Sequence, residues 1–244
     1  MKQSFFKIIS NKPINATVYK MELSGDTSDC VCGGFVNIAL SGKFLRRPIS
    51  VCDINADVLT IIYKVVGKGT EKLAEMKAGE ELDILTGLGN GYDLTLSGET
   101  PLLIGGGVGV PPMYLLAKKL MSEGKKVSVI LGFNTKDEIF YKDEFEALGA
   151  EVYVTTVDGS VGIRGFVTDA MKNLSYSYIY TCGPEPMLRA VYSASATSAQ
   201  FSFEERMGCG FGACMGCSCK TVTGYKRICK EGPVLKKEEI LWEA

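Results

Sequence analysis

The architecture of the second half of this chain follows from one run, Pro101-Leu102-Leu103-Ile104-Gly105-Gly106-Gly107-Val108-Gly109-Val110-Pro111-Pro112. Pro101–Ile104 is a short apolar strand of the buried type, and the two prolines open a helix over Met113–Ser122. Glycines between a strand and a helix let the backbone approach a pyrophosphate, and the helix N-terminus supplies N–H donors. The spacing differs from G-x-G-x-x-G, so a turn that only packs strand against helix is an alternative.

Downstream of this turn, apolar strands alternate with helical segments. Such alternation predicts a Rossmann-like domain with a parallel sheet and right-handed crossovers. The predicted strands are Val127–Gly132, Val152–Val157 and Tyr178–Cys182, and the predicted helices are Lys142–Leu148, Phe166–Lys172 and Glu185–Ser195.

Upstream of the turn, the first ~98 residues are rich in β-branched and alternating apolar residues separated by Gly, Asn, Asp and Pro. Only Glu71–Lys77 has a helical pattern. Short strands with turn signals predict a small antiparallel β-barrel. The predicted strands are Thr17–Leu23, Phe35–Leu40, Ile49–Ile54, Val58–Val66 and Glu81–Leu85.

A cysteine loop follows the α/β region. It reads Cys209-Gly210-Phe211-Gly212-Ala213-Cys214-Met215-Gly216-Cys217, and Cys229 comes twelve positions later. Cys-x4-Cys-x2-Cys…Cys is the thiolate spacing of plant-type [2Fe–2S] clusters. The interspersed glycines permit the close backbone approach that a loop around an inorganic core requires. A strand over Lys220–Thr223 and a charged tail complete the prediction of three units: a barrel over 1–98, an α/β domain over 99–198 and a cluster module over 199–244.

Two other uses of the cysteines are weighed against the cluster. A structural zinc site also takes four Cys, although usually as two closely spaced pairs, and it remains an alternative. A disulfide framework fits poorly, because the chain has nine Cys and begins without an apolar leader segment. Cys219 is a fifth candidate ligand that spacing alone does not exclude.

Composition excludes several classes of function. The chain is 46% apolar and 23% charged with a formal net charge of −1, which gives no electrostatic footprint for nucleic acid. No apolar run approaches the roughly 18–20 residues needed to span a bilayer. Histidine is absent, so His-ligated metal centres and imidazole-based triads are excluded.

Three shorter motifs are ambiguous singly and indicate a binding function only when they are taken together. Arg47-Pro48-Ile49-Ser50 offers a guanidinium suited to phosphate, although a solvated Arg at a strand start is common. Gly67-Lys68-Gly69-Thr70 is either an anion site at a helix N-terminus or an ordinary helix start with Thr70 as N-cap. Cys182-Gly183-Pro184 follows a strand at the ligand-binding edge of the sheet, where Cys182 is alternatively a small buried hydrophobe.

The order of these motifs resembles the ferredoxin–NADP reductase superfamily over residues 1 to about 198. With the cysteine loop and its flanking residues Ser202–Gly210 and Tyr225–Val234, the whole chain resembles the family of electron-transfer subunits of dihydroorotate dehydrogenase B. One departure is Thr86–Tyr92, which lacks the proline of the family's Gly-Pro-Leu-Gly-Asn-Gly-Phe loop.

The resemblance implies FAD in the barrel, NAD on the α/β domain and a [2Fe–2S] cluster in the module. It assigns the flavin and its phosphates to the barrel motifs, the nicotinamide nucleotide to the glycine turn with Cys182 near the nicotinamide, and the cluster to four thiolates. The flavin residues are Arg47, Pro48, Ile49, Ser50, Ile62, Tyr63, Lys64, Gly69 and Thr70; the nucleotide residues are Gly105, Gly106, Gly107 and Gly109; the cluster ligands are Cys209, Cys214, Cys217 and Cys229.

The resemblance also implies a partner, an FMN-containing catalytic subunit that oxidises dihydroorotate to orotate in pyrimidine biosynthesis. Electrons would pass from that subunit through the cluster and FAD to NAD⁺, in a cytoplasmic heterotetramer of two plus two subunits. NAD is favoured over NADP because Asp137 and Glu138 follow the second strand of the α/β domain, although Lys136 adjoins them. The alternatives are another NAD(P)H-dependent oxidoreductase, such as ferredoxin:NADP oxidoreductase or sulfide dehydrogenase, and a non-enzymatic zinc-binding scaffold.

Overall fold

A computed structural model describes residues 1–242, and its first half is a closed six-stranded antiparallel barrel. The strand order is β1-β2-β5-β4-β3-β6, and α1 crosses between β5 and β6. The barrel elements are β1 (Lys2–Pro13), β2 (Val18–Ser24), β3 (Phe35–Ile38), β4 (Arg47–Asn55), β5 (Val58–Lys64), α1 (Lys68–Glu75) and β6 (Glu81–Leu88). The predicted barrel is confirmed.

One barrel strand was not predicted. β1 pairs with both β2 and β6 and so closes the barrel. Its sequence, Lys-Gln-Ser-Phe-Phe-Lys-Ile-Ile-Ser-Asn-Lys-Pro, is largely polar, and only Phe6 and Ile8 are fully buried. The alternation that signals a strand is therefore weak, and the pairing of β1 with its two neighbours determines its conformation.

The second half contains a seven-stranded sheet in the order β10-β9-β8-β7-β11-β12-β15, in which the last strand is β15 (Val234–Lys236). All neighbouring pairs are parallel except β12 with β15. The predicted Rossmann-like architecture is confirmed. Its elements are β7 (Leu102–Gly106), α2 (Pro111–Ser122), β8 (Ser128–Phe133), α3 (Lys142–Leu148), β9 (Glu151–Thr156), β10 (Ile163–Arg164), α4 (Val167–Met171), β11 (Ile179–Cys182), α5 (Glu185–Ala194) and β12 (Ala199–Ser202).

Residues 203–242, here called the cluster segment, contain a hairpin and one further strand. The hairpin is β13 (Ser218–Thr221) with β14 (Gly224–Arg227), and β15 (Val234–Lys236) joins the large sheet. The predicted charged tail is thus partly a strand. The large sheet continues beyond residue 198, and the division of the chain at 98 and 198 remains a prediction. Residues 243 and 244 of the predicted module lie outside the described part of the chain.

Two apolar clusters join the three parts of the molecule. The first runs from the barrel interior, including Leu59, into α2 and α3 through Met113 and Phe145. The second joins Phe35 of the barrel to Cys229 of the cluster segment, with residues of the large sheet. Each large side chain fully buried in these clusters contributes about 1.5–3 kcal/mol to stability. Within residues 1–242, no helix has the length and apolar character needed to cross a membrane.

Candidate functional site

The glycine turn and the Cys182 segment meet at the carboxyl edge of the large sheet. β7 and β11 are parallel neighbours, with Cys182 paired to Gly105. A Cβ at Gly109 would lie 2.2 Å from the Cys182 carbonyl oxygen, and one at Gly106 would lie 2.4 Å from Met187 Sδ. Gly107 has φ +51° and no atom within 4 Å of the Cβ position, so it faces open space. The turn therefore leaves backbone exposed to a ligand, as a dinucleotide site requires.

Cys182 is a neutral thiol in this crevice. Burial raises its pKa to about 12, and a hydrogen bond with Ser202 acts in the opposite direction. The thiol consequently stays protonated at neutral pH and is a poor nucleophile.

Carboxylates follow β8 at the same edge of the sheet. Glu138 Oε2 accepts hydrogen bonds from the backbone N–H of Asn134 at 3.2 Å and from Asn134 Nδ2 at 2.9 Å. The Lys136 N–H donates to Ser160 Oγ at 2.8 Å, which links this loop to the one after β9. Asp137 is exposed beside them. The loop thus presents negative charge next to the glycine turn.

Arg47 lies across the first turn of α1. A Cβ at Gly69 would lie 2.0 Å from Arg47 Nε, so the arginine occupies the space that this glycine leaves. The helix begins at Lys68 with Gly67 as N-cap; Thr70 is therefore the third helical residue rather than the predicted cap. Its hydroxyl accepts from the N–H groups of Val66 at 2.9 Å and Gly67 at 3.3 Å. A guanidinium beside a helix N-terminus forms an anion-binding surface.

The other predicted flavin residues divide between two faces of the barrel wall. Pro48, Ile49 and Ser50 follow Arg47 on β4 and are partly exposed. On β5, side chains alternate, so Ile62 and Lys64 share one face and Tyr63 points to the other. Tyr63 is 2% exposed, stacks on Tyr19 and donates to Asn11 Oδ1 at 2.8 Å. The structure does not bring Tyr63 to the face of its two neighbours.

The four predicted cluster cysteines form two pairs. Cys209 Sγ accepts from the N–H groups of Ala213 at 3.2 Å and Cys214 at 3.4 Å. Cys217 Sγ accepts from the N–H of Cys229 at 3.4 Å. Cys219 instead lies in β13 opposite Lys226. Within residues 1–242, no three Cys, Asp or Glu side chains converge on a single ion.

The donor set fits a [2Fe–2S] cluster. When bound, such a cluster would take four thiolates, and the pairs Cys209 with Cys214 and Cys217 with Cys229 would supply them. Burial raises the pKa of Cys209, but the N–H groups of Phe211, Cys214 and Ala213 outweigh burial and lower it below the usual thiol range. Such N–H donors stabilise thiolates, the form that binds iron.

Two contacts with the cluster segment involve barrel residues that the sequence analysis did not single out. Asn37 of β3 donates to the Cys209 carbonyl at 3.2 Å, and Asn90, after β6, donates to the Val234 carbonyl at 2.6 Å. Asn90 lies inside the quoted loop Thr86–Tyr92, where Gly-Asn-Gly after a strand signals a turn. Nothing in the local sequence around Asn37 distinguishes it from any other strand residue.

Comparison with known proteins agrees with these features. Residues 204–241 match the family model for the iron–sulfur cluster binding domain of dihydroorotate dehydrogenase B, and residues 103–193 match the oxidoreductase NAD-binding domain.

Among solved structures, the chain resembles one of an NADH-dependent reduced ferredoxin-NADP oxidoreductase, with a TM-score of 0.89 and 29% identity over 98% of this chain and 90% of that chain. It shares its fold with a ferredoxin NADP⁺ reductase from Neisseria gonorrhoeae, with a TM-score of 0.70 and 17% identity over 80% of this chain and 90% of that one.

Two curated relatives extend over nearly the full length. The dihydroorotate dehydrogenase B (NAD(+)) electron transfer subunit of Bacillus pumilus is 43% identical over 98% of both chains. The protein of the same name from Fusobacterium nucleatum is 45% identical over 98% of this chain and 99% of its own. On this identity and coverage, the chain belongs to the family of dihydroorotate dehydrogenase B electron-transfer subunits.

Proposed function

We propose that this chain carries electrons between NAD⁺ and a partner subunit that oxidises dihydroorotate to orotate, in pyrimidine biosynthesis. The observation that carries the proposal is the position of the cluster segment. Cys217 and Cys229 share an apolar cluster with barrel residues, and the strand β15 of the cluster segment extends the large sheet. One chain therefore joins a reductase of two domains to a one-electron centre.

FAD, when bound, exchanges electron pairs with nicotinamide and single electrons with the cluster, which is why both centres are needed. We assign the flavin pyrophosphate to Arg47, Gly69 and Thr70 at the N-terminus of α1. The isoalloxazine is assigned to the barrel wall at Pro48, Ile49, Ser50, Ile62 and Lys64. Tyr63 points to the other face of β5, so its proposed part is to support this wall from behind through its stacking on Tyr19. The hydroxyl of Thr70 is already engaged with the backbone, so its part is to hold the helix start in shape while the N–H groups bind the phosphate.

We assign the nicotinamide nucleotide to Gly105, Gly106, Gly107 and Gly109, with Cys182 near the nicotinamide. Hydride transfer requires positioning and no proton donor. The protonated thiol of Cys182 suits this, because it is neutral and adds no charge beside the ring.

NAD is proposed over NADP because the loop after β8 presents Asp137 and Glu138 where a 2′-phosphate would need cations. A ribose 2′-hydroxyl, by contrast, is well matched by a carboxylate acceptor. The ratio of kcat/KM for NADH to that for NADPH measures this preference, and a clear preference for NADPH would contradict it.

Cys209, Cys214, Cys217 and Cys229 are the proposed ligands of the [2Fe–2S] cluster. Phe211 and Met215 beside them are 40% and 53% exposed, so the loop that carries Cys209 and Cys214 offers apolar side chains to an approaching partner. We propose that this surface meets an FMN-containing catalytic subunit, in a heterotetramer of two plus two chains. A cytoplasmic location is part of the proposal, since thiols there stay reduced.

Other functions compatible with the sequence are not favoured. The sequence is 29% identical to that of the NADH-dependent reduced ferredoxin-NADP oxidoreductase structure. It is 43% and 45% identical to the two dihydroorotate dehydrogenase B relatives. A zinc-binding scaffold is disfavoured because the matching family model is that of an iron–sulfur domain.

Co-expression with the catalytic subunit tests the proposal. The isolated chain should reduce artificial dyes with NADH and produce no orotate from dihydroorotate. The purified complex should form orotate and NADH together. Robust dihydroorotate oxidation by the single chain, or a complex that cannot use NAD⁺, would overturn it.

A further inference from the structure

Asn90 binds the chain just beyond the fourth cluster cysteine through four hydrogen bonds. Its Nδ2 donates to the carbonyls of Val234 at 2.6 Å and Glu231 at 3.2 Å, and its Oδ1 accepts from the Val234 N–H at 3.0 Å. Its backbone N–H donates to the Gly232 carbonyl at 2.5 Å. The side-chain amide thus pairs with both backbone groups of Val234, as a neighbouring strand would.

The backbone before Asn90 has no room for another residue type. Gly89 has φ +71°, and a Cβ there would lie 2.6 Å from Pro233 Cδ and 2.8 Å from the Gly232 carbonyl oxygen. The loop after β6 therefore lies directly on the segment Glu231–Val234. The pairing is specific to an amide, because among side chains at neutral pH only those of Asn and Gln have a donor and an acceptor side by side.

Asn37 makes the corresponding contact with the first cluster cysteine. The Asn37 Nδ2 group donates to the Cys209 carbonyl. The same nitrogen would lie 2.2 Å from a Cβ at Gly210, so Asn37 fills the space beside this glycine. Asn37 is 1% exposed, and its Oδ1 is buried without a hydrogen-bond partner within the described residues. Asn37 pairs with Pro48 of β4, which belongs to the predicted flavin-binding motif. Asn37 therefore lies between that motif and the cysteine loop.

The two asparagines therefore bind both ends of the cysteine set from one side, that of the barrel. Between them lies an apolar contact in which Phe35 and Leu88 of the barrel share a cluster with Ile228 and Cys229. Apolar contacts are non-directional and tolerate sliding, whereas hydrogen bonds from an amide fix position and orientation. The two amides are thus the groups that determine how the cysteine loop sits on the flavin domain.

We propose that Asn37 and Asn90 are positioning residues that fix the cysteine loop on the barrel, and so set the rate of electron exchange between the flavin and the cluster. The inference rests on the proposed function, which supplies the two centres. Asn90 is the stronger of the two because it makes more hydrogen bonds. Neither residue takes part in the exchange of hydride with nicotinamide.

The test compares Asn90→Ala, Asn90→Asp and Asn37→Ala with Asn11→Ala in the FAD- and cluster-loaded chain. Asn11 is a matched control, because its amide also makes several hydrogen bonds within the barrel but none to the cluster segment. Asn90→Asp keeps the acceptor for Val234 N–H and turns a carboxylate towards two carbonyls. Hydrogen–deuterium exchange over residues 209–236 is measured together with stopped-flow absorbance of flavin and cluster after mixing with NADH.

Both Asn90 variants should accelerate amide exchange in residues 229–236 by about tenfold or more, the effect of losing part-buried hydrogen bonds worth roughly 1.4 kcal/mol. Cluster reduction should slow while flavin reduction by NADH is unchanged. Asn37→Ala should produce the same pattern around Cys209, more weakly, and Asn11→Ala should leave exchange in 209–236 as in the wild type.

Wild-type exchange and wild-type cluster reduction in all Asn90 and Asn37 variants would overturn the inference. So would equal acceleration in Asn11→Ala, because the effect would then be general loss of stability. If Asn90→Ala does not fold, Asn37→Ala, which removes a single hydrogen bond, decides the question. A wild-type chain that NADH does not reduce would instead contradict the proposed function.

Discussion

The two cysteine pairs of the cluster segment lie in contrasting surroundings. Cys217 and Cys229 are each 2% exposed and belong to the apolar cluster that contains Phe35 of the barrel. Cys209 is partly exposed and Cys214 exposed. One pair is thus part of the protein core, while the other faces outwards. A centre bound in this way has an inner side fixed by the reductase and an outer side that a partner can approach.

The largest effect is expected on the inner side, from Cys229→Ser. The cluster should be lost, and the cluster-free protein should be less stable than cluster-free wild type by about 1–3 kcal/mol, because a hydroxyl costs more to bury in this apolar cluster than the thiol that it replaces. Iron content and urea unfolding measure the two effects. Unchanged unfolding free energy would contradict the core role of this pair.

On the outer side, Cys214→Ser should also abolish the cluster. The stability of the cluster-free form should, however, stay within about 0.5 kcal/mol of cluster-free wild type, as for most exposed substitutions. The same unfolding measurement applies. Equal destabilisation by both serine variants would remove the distinction between the pairs.

Gly210→Ala should displace the outer pair while keeping the inner one in place. Gly210 has φ +77°, which costs an L-residue about 1–2 kcal/mol, and its new Cβ would also collide with Asn37. The expected result is an altered EPR spectrum of the reduced cluster and faster iron loss to a chelator. Gly224→Ala is the control, since it has φ +112° but no atom within 4 Å of the Cβ position. A matching change in the control would assign the effect to backbone strain alone.

Cys219, outside both pairs, should matter least to the cluster. Its side chain is half-buried in β13, and Cys219→Ser should keep the full iron content and visible spectrum. Loss of iron in this variant would make Cys219 a ligand and break the two-pair arrangement.

The raised pKa of Cys182 predicts that this thiol gives dye reduction by NADH no pH dependence in the neutral range. Its folded pKa is raised by burial from 9.0 to about 12, so the stability linked to it is complete below pH 9 and is lost as the pH rises towards 12. Dye reduction by NADH should therefore show no inflection from this thiol in the neutral range. Alkylation of Cys182 at pH 8, measured by mass spectrometry, should be slow. Rapid alkylation would contradict the protonated state of the thiol.

The parts of the fold that the sequence revealed are those with strong local patterns. The alternation of apolar strands and helices after Gly105 predicts the parallel sheet, and the Cys209–Cys217 spacing predicts the cluster, because both patterns lie within short windows. β1 and β15 were not predicted, since their residues are largely polar or few and become strands by pairing with β6 and β12.

The same distinction applies to the site. Arg47 and Gly69 are recognisable as motifs, yet their contact depends on the barrel closing. The contacts of Asn37 with Cys209, and of Asn90 with Val234, join residues more than 140 positions apart. No local pattern encodes such a pair, so only the folded structure identifies these residues.

Anaerobic titration of the purified chain with NADH, followed by visible absorption and EPR spectroscopy in one sample, tests the central claim most directly. The account predicts that flavin absorption bleaches and that a stoichiometric EPR signal of a reduced [2Fe–2S] cluster develops. A flavin that is reduced without any cluster signal, or a colourless chain with stoichiometric zinc, would contradict it.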